Sequence, residues 1–176
     1  FPLKRVYYSA YIPTVPHAAL PTSPPHLVRE NRLYQADWLL RYYGFTAEEI
    51  APEDQNLSLE VDPKCGWALR NQHLFPVEIN KAPLETLLRV PGIGVRTAYR
   101  ILQARRFSSL RYEDLVKMRV VVKRARHFIT CSGHYYGGAL GSDALCGLLS
   151  SSRDYAEQLS LFPDRETQQT ALLGEL

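Results

Sequence analysis

A four-residue segment, Pro-Gly-Ile-Gly at positions 91–94, interrupts an otherwise helical pattern near the middle of the chain. Apolar residues recur at helical spacing on both sides of it, over residues 84–90 and again over residues 95–106. Proline and two glycines within four residues break a helix, and glycine allows the positive φ that a tight reversal needs. The pattern predicts two helices joined by a short hairpin, with Asn80 as the N-cap of the first helix.

Residues 87–101, Leu-Leu-Arg-Val-Pro-Gly-Ile-Gly-Val-Arg-Thr-Ala-Tyr-Arg-Ile, resemble the helix-hairpin-helix family, which binds the DNA backbone without reading its sequence. Gly92 and Gly94 leave no Cβ between the backbone and a phosphate, and the following helix start offers N–H donors and a positive dipole end. The alternative is an ordinary tight turn, used only for packing. The resemblance also implies that K⁺ or Na⁺ bridges a phosphate to three backbone carbonyls, those of Leu88, Val90 and Ile93.

Positive charge is concentrated in the same part of the chain. Residues 80–130 contain twelve Lys or Arg and three Asp or Glu, about +9, although the whole chain carries a formal charge of +3. Such a local excess attracts a polyanion through screened Coulomb forces and counterion release. A solvated basic helix face would have a similar composition, so charge alone does not decide between the two interpretations.

A second, glycine-poor copy of the pattern follows the first. Residues 115–129 repeat the apolar positions of residues 87–102 at an offset of 28 that becomes 27 across the turn. The second turn, residues 119–122, has lost the glycines, so we expect this copy to be a structural mate that contacts the DNA backbone only through side chains. The residues predicted to bind DNA are Pro91, Gly92, Ile93, Gly94, Val95, Arg96, Thr97, Arg100, Lys123 and Arg124.

The rest of the chain predicts a mainly α fold of short helices. An aromatic-rich amphipathic helix is expected over residues 27–43. Thr46 and Glu49 have the spacing of a capping box, and Asp62 followed by Pro63 has the pattern of a helix start.

The two ends of the chain have different patterns. Apolar and polar residues alternate from Arg5 to Ile12, as in a strand, and five prolines follow. Beyond Thr130 the composition shifts to Gly, Ser, Tyr and Ala and then to a polar tail, and we expect a linker or disorder after about Gly137. We therefore divide the chain into a strand with a Pro-rich loop (1–26), a helical connecting region (27–79), a helix-hairpin-helix domain (80–133) and a flexible tail (134–176).

Further segments resemble a second family. They are residues 5–13 (RVYYSAYIP), 33–41 (LYQADWLLR), 62–64 (DPK) with 67–71 (WALRN), and 75–80 (FPVEIN). Together they resemble the C-terminal half of the radical SAM proteins assigned to DNA modification or repair. The resemblance implies that residues 5–12 are a late strand of a truncated TIM-type barrel, and that the chain is the C-terminal part of a longer protein.

In that family the barrel carries a Cys-x-x-x-Cys-x-x-Cys motif, which holds a [4Fe–4S] cluster and S-adenosylmethionine. The spacing of Cys65, Cys131 and Cys146 does not match this motif, so no cluster ligand can be carried over. The chain as given is therefore expected to be non-catalytic and to hold no cofactor, whereas the full-length protein is expected to be an enzyme.

A pentapeptide near the C-terminus matches the motif by which bacterial repair and replication proteins dock on the sliding clamp. It consists of Gln158, Leu159, Ser160, Leu161 and Phe162. Two of its apolar side chains would fill a pocket on the clamp, at roughly 1.5 to 3 kcal/mol each before ordering costs. Packing of the same side chains back onto the domain is the alternative.

These patterns favour a module that binds double-stranded DNA and delivers a radical SAM repair or modification enzyme to it. The alternatives are a self-contained glycosylase or lyase and a protein-interaction scaffold. Glycosylases of this type need an Asp or Lys shortly after the hairpin, and residues 90–110 contain neither. The sequence has no run of eighteen apolar residues, so we expect no membrane span. The match to the clamp-binding motif implies a bacterial cytoplasmic, nucleoid-associated location.

Overall fold

The computed structural model describes residues 6–14, 18–53, 55–138 and 141–150, which form eight α-helices, a 3₁₀ turn and a three-stranded sheet. The helices are α1 (Leu27–Tyr42), α2 (Ala47–Ile50), α3 (Pro63–Arg70), α4 (Leu84–Arg89), α5 (Val95–Ala104), α6 (Tyr112–Lys117), α7 (Val122–Ala125) and α8 (Ser142–Leu149). The strands are β1 (Val77–Glu78), β2 (Ile129–Cys131) and β3 (His134–Tyr135), and the 3₁₀ turn is Gln72–Leu74. The prediction of a mainly α fold is confirmed at this level.

Local sequence signals start the early helices as predicted. The Thr46 side chain accepts the N–H of Glu49, and the Glu49 carboxylate accepts the N–H of Thr46, so the capping box is confirmed. The Asp62 carboxylate accepts the N–H of Cys65, with Pro63 in the first turn of α3. Each cap satisfies an N–H group that has no partner within its own helix.

The strand predicted from Arg5 to Ile12 is wrong for residues 6–12, which form no strand in the structure. None of the strands among the described residues pairs with this segment. It lies instead against α1, where the Tyr34 hydroxyl and the backbone of Tyr8 exchange two hydrogen bonds of 3.0 Å. Alternation marks a segment with two different faces, but a strand also needs a neighbour for its backbone groups.

Two parallel strands are connected by residues 79–128, which include both predicted hairpins. β1 pairs in parallel with β2, and β2 pairs antiparallel with β3. The Glu78 carboxylate next to this sheet accepts hydrogen bonds from the backbone N–H groups of Asn80, Ser132 and Gly133 and from the Thr130 hydroxyl. Partial burial by itself raises the pKa of Glu78, but these donors hold it below its ordinary value.

Asn80 does not cap α4, so that prediction is wrong. The N-cap position belongs to Pro83, which offers no side-chain hydrogen bond. The Asn80 side chain spans 30 residues instead, accepting the Leu110 N–H at 2.8 Å and donating to the Leu110 carbonyl at 3.1 Å. It therefore fixes the loop before α4 to the loop before α6.

One hydrophobic core collects residues from both the connecting region and the hairpin region, from Leu39 to Leu149. The second helix of the repeat ends at Ala125, and Ile129, an apolar position of the repeat, begins β2. The flexible tail expected from residue 134 is wrong for β3 and α8, because α8 buries Leu145 and Leu149. The predicted clamp-binding residues 158–162 lie outside the described residues, and no helix within the described part is long and apolar enough to cross a bilayer.

Candidate nucleic-acid interface

The first hairpin, residues 90–95, joins α4 to α5. Gly92 has a φ of 85°, and the Ile93 N–H donates to the Val90 carbonyl at 3.2 Å, which closes the turn. The Ile93 side chain is fully buried, so it anchors the turn in the core. Gly94 is the N-cap of α5, and its carbonyl accepts the Ala98 N–H.

The second hairpin, residues 117–122, repeats this geometry without glycine. Arg119 adopts a φ of 63° at the position equivalent to Gly92, and Val120 is buried at the position equivalent to Ile93. Val121 is the N-cap of α7, as Gly94 is of α5. From Gly92 and Arg119 onward, equivalent residues of the two copies are therefore 27 positions apart. The second turn keeps the shape of the first although it has no glycine.

Gly92 lies against the backbone of the second hairpin. A Cβ at this position would lie 2.6 Å from the Val121 carbonyl oxygen and 3.1 Å from the Ala125 nitrogen. The Val121 N–H also donates to the Gly92 carbonyl at 3.0 Å. The two hairpins therefore touch backbone to backbone, and the missing side chain makes this contact sterically feasible.

The start of α3 holds both hairpins. The ammonium of Lys64, which is buried, donates to the Ile93 carbonyl of the first hairpin at 2.6 Å. Asp62, the N-cap of the same helix, accepts from the Arg124 guanidinium of the second hairpin at 2.8 Å. One helix turn thus fixes the two hairpins relative to each other.

Burial lowers the pKa of Lys64 to about 7, and the nearby Asp62 carboxylate opposes this shift. The Lys64 amine also lies 4.6 Å from the centre of the Tyr43 ring, where the ring quadrupole favours its charged form. Lys64 is therefore a buried amine whose charge is supported by one carboxylate, one carbonyl and one aromatic face.

The carbonyls predicted to hold K⁺ or Na⁺ already have partners in two of three cases. The Val90 carbonyl accepts the Ile93 N–H, and the Ile93 carbonyl accepts the Lys64 amine. An alkali cation here would meet a like charge whenever Lys64 is protonated. These residues therefore fit a monovalent cation poorly.

Tyr43 covers part of the α5 start. The Val95 N–H donates to the Tyr43 hydroxyl, and this bond partly offsets the rise that burial causes in the pKa of Tyr43. The hydroxyl oxygen also lies 3.7 Å from where a Cβ of Gly94 would stand, an ordinary van der Waals distance. A phosphate at this helix start would have to displace the hydroxyl or bind beside it.

The residues predicted to bind DNA fall into three groups, of which one, Gly92, Gly94 and Val95, is half-buried. Arg96, Arg100 and Lys123 are exposed, and Arg96 and Lys123 occupy equivalent positions in the first turns of α5 and α7. By contrast, Pro91, Ile93 and Thr97 are buried, and Arg124 is paired with Asp62. Other cations of the basic region are structural, since Arg89 pairs with Glu49 and Arg105 donates to the carbonyls of Ile79 and Ala82.

Two of the three cysteines lie in surroundings that disfavour the thiolate form. Cys65 and Cys131 are each buried, and burial raises the pKa of both thiols, that of Cys131 to about 11. Cluster ligands are thiolates, which such surroundings disfavour. The Cys131 thiol instead donates to the Leu110 carbonyl, as expected of a small buried side chain.

Sequence reasoning missed the residues that α1 and α3 bring to the hairpins, above all Tyr43, Asp62 and Lys64. Asp62 and Lys64 stand in the Asp-Pro-Lys segment, where the only local signal was a helix start. Asp62 contacts Arg124, 62 residues away, and Lys64 contacts Ile93, 29 residues away. No local pattern encodes contacts over such distances. Comparison of the chain with family models, curated proteins and solved structures found no match.

Proposed function

We propose that the paired hairpins bind the sugar-phosphate backbone of duplex DNA without selecting a sequence. The observation that carries this proposal is the matched geometry of the two hairpins, each of which presents an exposed cation in the first turn of its second helix, Arg96 and Lys123. Side chains that repeat in this way suit a polymer whose charges also repeat, and phosphate contacts fix position rather than sequence.

The charge distribution supports the same function. Arg100 lies one turn beyond Arg96 on α5, and Arg119 is exposed at the tip of the second hairpin. Residues 80–130 carry a formal charge of about +9, so the local potential attracts a polyanion even though Arg89, Arg105 and Arg124 serve the fold. Backbone donors of the first hairpin contribute less than the sequence predicts, because Tyr43 already accepts the Val95 N–H.

Fluorescence anisotropy with a labelled duplex tests the proposal through a matched pair of double variants. Arg96→Gln with Lys123→Gln removes the two equivalent cations at the hairpins. Lys81→Gln with Arg106→Gln removes two exposed cations at the far ends of α4 and α5. We expect the first pair to weaken binding at least tenfold and the second pair to change it less than threefold; equal losses would refute the assignment of this face.

We further propose that this module delivers a radical SAM repair or modification enzyme to DNA and that residues 158–162 dock on the sliding clamp. The support is the resemblance of the sequence segments and of the pentapeptide, as given above. Pull-down of the purified clamp by the intact chain, with Leu161→Ala and Phe162→Ala as the matched variant, tests the second part. Capture that is equal for both proteins would refute it.

A self-contained lyase is the second candidate, and one observation favours it. Lys64 places an amine with a pKa of about 7 beside the first hairpin, although residues 90–110 contain no lysine. Such an amine can condense with the aldehyde of an abasic site, forming an imine and releasing water. Borohydride reduction would then trap a covalent protein–DNA adduct, and its absence with an abasic duplex would exclude this candidate.

A further inference from the structure

A cleft of about 480 Å³ separates α1 from the first hairpin. Tyr34, Gln35 and Trp38 of α1 line one wall, and the backbone of residues 91–94 lines the other. The volume is within the range of roughly 300 to 1,000 Å³ that is usual for small-ligand sites. The DNA-backbone function proposed above does not use this cleft.

The aromatic side chains of this wall are exposed, and neighbouring rings hold them in place. Trp38 is 55% exposed, and its ring lies 4.3 Å from that of Tyr42. Tyr34 is one turn away on the same face of α1, where its hydroxyl bonds to the Tyr8 backbone and its ring contacts the Tyr8 ring edge to face. Exposed aromatic rings that are held in place by neighbours lose little entropy when a flat ligand stacks on them.

The cleft lining is mainly apolar, with polar groups at several points. Two of the four lining residues at positions 91–94 are glycines, which place no side chain over the backbone there. Gln35, whose carbonyl oxygen accepts from Arg32 at 2.9 Å, brings an amide to the aromatic side. Lys64, Arg124 and the Asp62 carboxylate that pairs with Arg124 also line the cleft, so it holds charges of both signs. A flat aromatic ligand with hydrogen-bonding edges matches these features.

We infer that this cleft takes one unpaired nucleobase of the DNA strand whose backbone lies on the hairpins, with the base stacked on Trp38. The inference rests on the proposed DNA-backbone binding, because the hairpin forms both the phosphate surface and one wall of the cleft. A base cannot reach the cleft while it is paired inside a duplex, so the site selects DNA with a bulged, gapped or extruded nucleotide. The hairpins contribute backbone affinity, and the cleft adds a preference for unpaired bases.

The test compares two labelled duplexes of equal length, one fully paired and one with a single bulged nucleotide, using the intact chain. One stacked base should strengthen binding about tenfold. Trp38→Leu should abolish this preference and leave binding of the paired duplex unchanged, while Trp38→Phe keeps a stacking ring and should retain most of it. Phe107→Leu is the matched control, because it removes a ring that is 90% exposed and does not line the cleft.

Intrinsic fluorescence gives an independent readout, since the chain has two tryptophans and Trp67 is buried. The bulged duplex should quench the emission of Trp38 more than the paired duplex does, and this difference should disappear in Trp38→Phe. A preference that persists in Trp38→Leu, or equal binding of both duplexes, would overturn the inference alone. Failure to bind either duplex would overturn the proposed function as well. If the emission of Trp38 changed with protein concentration and not with added DNA, the cleft would be assigned to contact with a second copy of this chain.

Discussion

Replacing Gly92 by alanine separates the two roles that a hairpin glycine can have. In the structure this residue has a φ of 85°, and a Cβ would lie 2.6 Å from the Val121 carbonyl oxygen. Gly133 and Gly94 provide matched controls in the same chain. Gly133 has a φ of 78° with no atom within 4 Å of its Cβ position, whereas Gly94 has an ordinary φ and meets only the Tyr43 hydroxyl at 3.7 Å.

The expected cost of Gly92→Ala has three parts. A left-handed alanine costs about 1 to 2 kcal/mol. Forcing two backbones apart costs about 1 to 3 kcal/mol, as in overpacked cores, and losing the 3.0 Å bond between the Val121 N–H and the Gly92 carbonyl costs about 1 kcal/mol. The free energy of unfolding should therefore fall by about 3 to 6 kcal/mol.

Urea denaturation of the three single variants measures these contributions separately. Gly133→Ala should lower the free energy of unfolding by about 1 to 2 kcal/mol through strain alone. Gly94→Ala should lower it by less than about 1 kcal/mol, because that site has neither strain nor a close contact. If Gly92→Ala is no more destabilising than Gly133→Ala, the direct contact between the hairpins is wrong.

Two further variants probe the contacts that position the hairpins. Asn80→Ala should lower the free energy of unfolding by about 1 to 3 kcal/mol in thermal or urea melts, because it leaves the Leu110 N–H without its partner and removes one of the donors to the Leu110 carbonyl; a change below 0.5 kcal/mol would contradict this role. The pKa of Lys64 falls from 10.5 when unfolded to about 7 when folded, so between those values the unfolded chain holds the extra proton and stability rises with pH. In urea melts between pH 7 and pH 9, the free energy of unfolding should rise by up to about 1.4 kcal/mol per pH unit, and this slope should vanish in Lys64→Met. An unchanged slope in Lys64→Met would refute the lowered pKa of Lys64.

Local signals were sufficient for several helix starts and ends, but they missed α8 and did not show what holds the helices together. The capping box at Thr46, the cap at Asp62 and the break at residues 91–94 were predictable because each depends on neighbours within a few positions. Asn80 was assigned to a cap for the same reason, yet its partner Leu110 is 30 residues away. A polar residue before a helix thus has competing roles, and only the tertiary structure selects one.

In the candidate site, too, the features that depend on local sequence were predictable and the long-range contacts were not. The sequence repeat predicted two hairpins, and the structure adds that Arg119 keeps the left-handed turn that Gly92 has in the first copy. The sequence assigned Gly92 to a phosphate, whereas the Val121 backbone fills the space next to it. The cleft that involves Trp38 was not predictable, because α1 and the hairpin meet only through packing of segments more than 50 residues apart.

The salt dependence of duplex binding is the most direct measure of whether the hairpins contact DNA phosphates. Four exposed cations, Arg96, Arg100, Arg119 and Lys123, predict a slope of log K against log salt near −0.9 per contact, about −3.6 in total, and similar values for duplexes of unrelated sequence. Binding should then weaken about 100-fold between 50 and 200 mM salt, and Arg96→Gln with Lys123→Gln should reduce the slope by about 2. An affinity that stays constant over this range, or differs strongly between sequences, would contradict backbone binding by the paired hairpins.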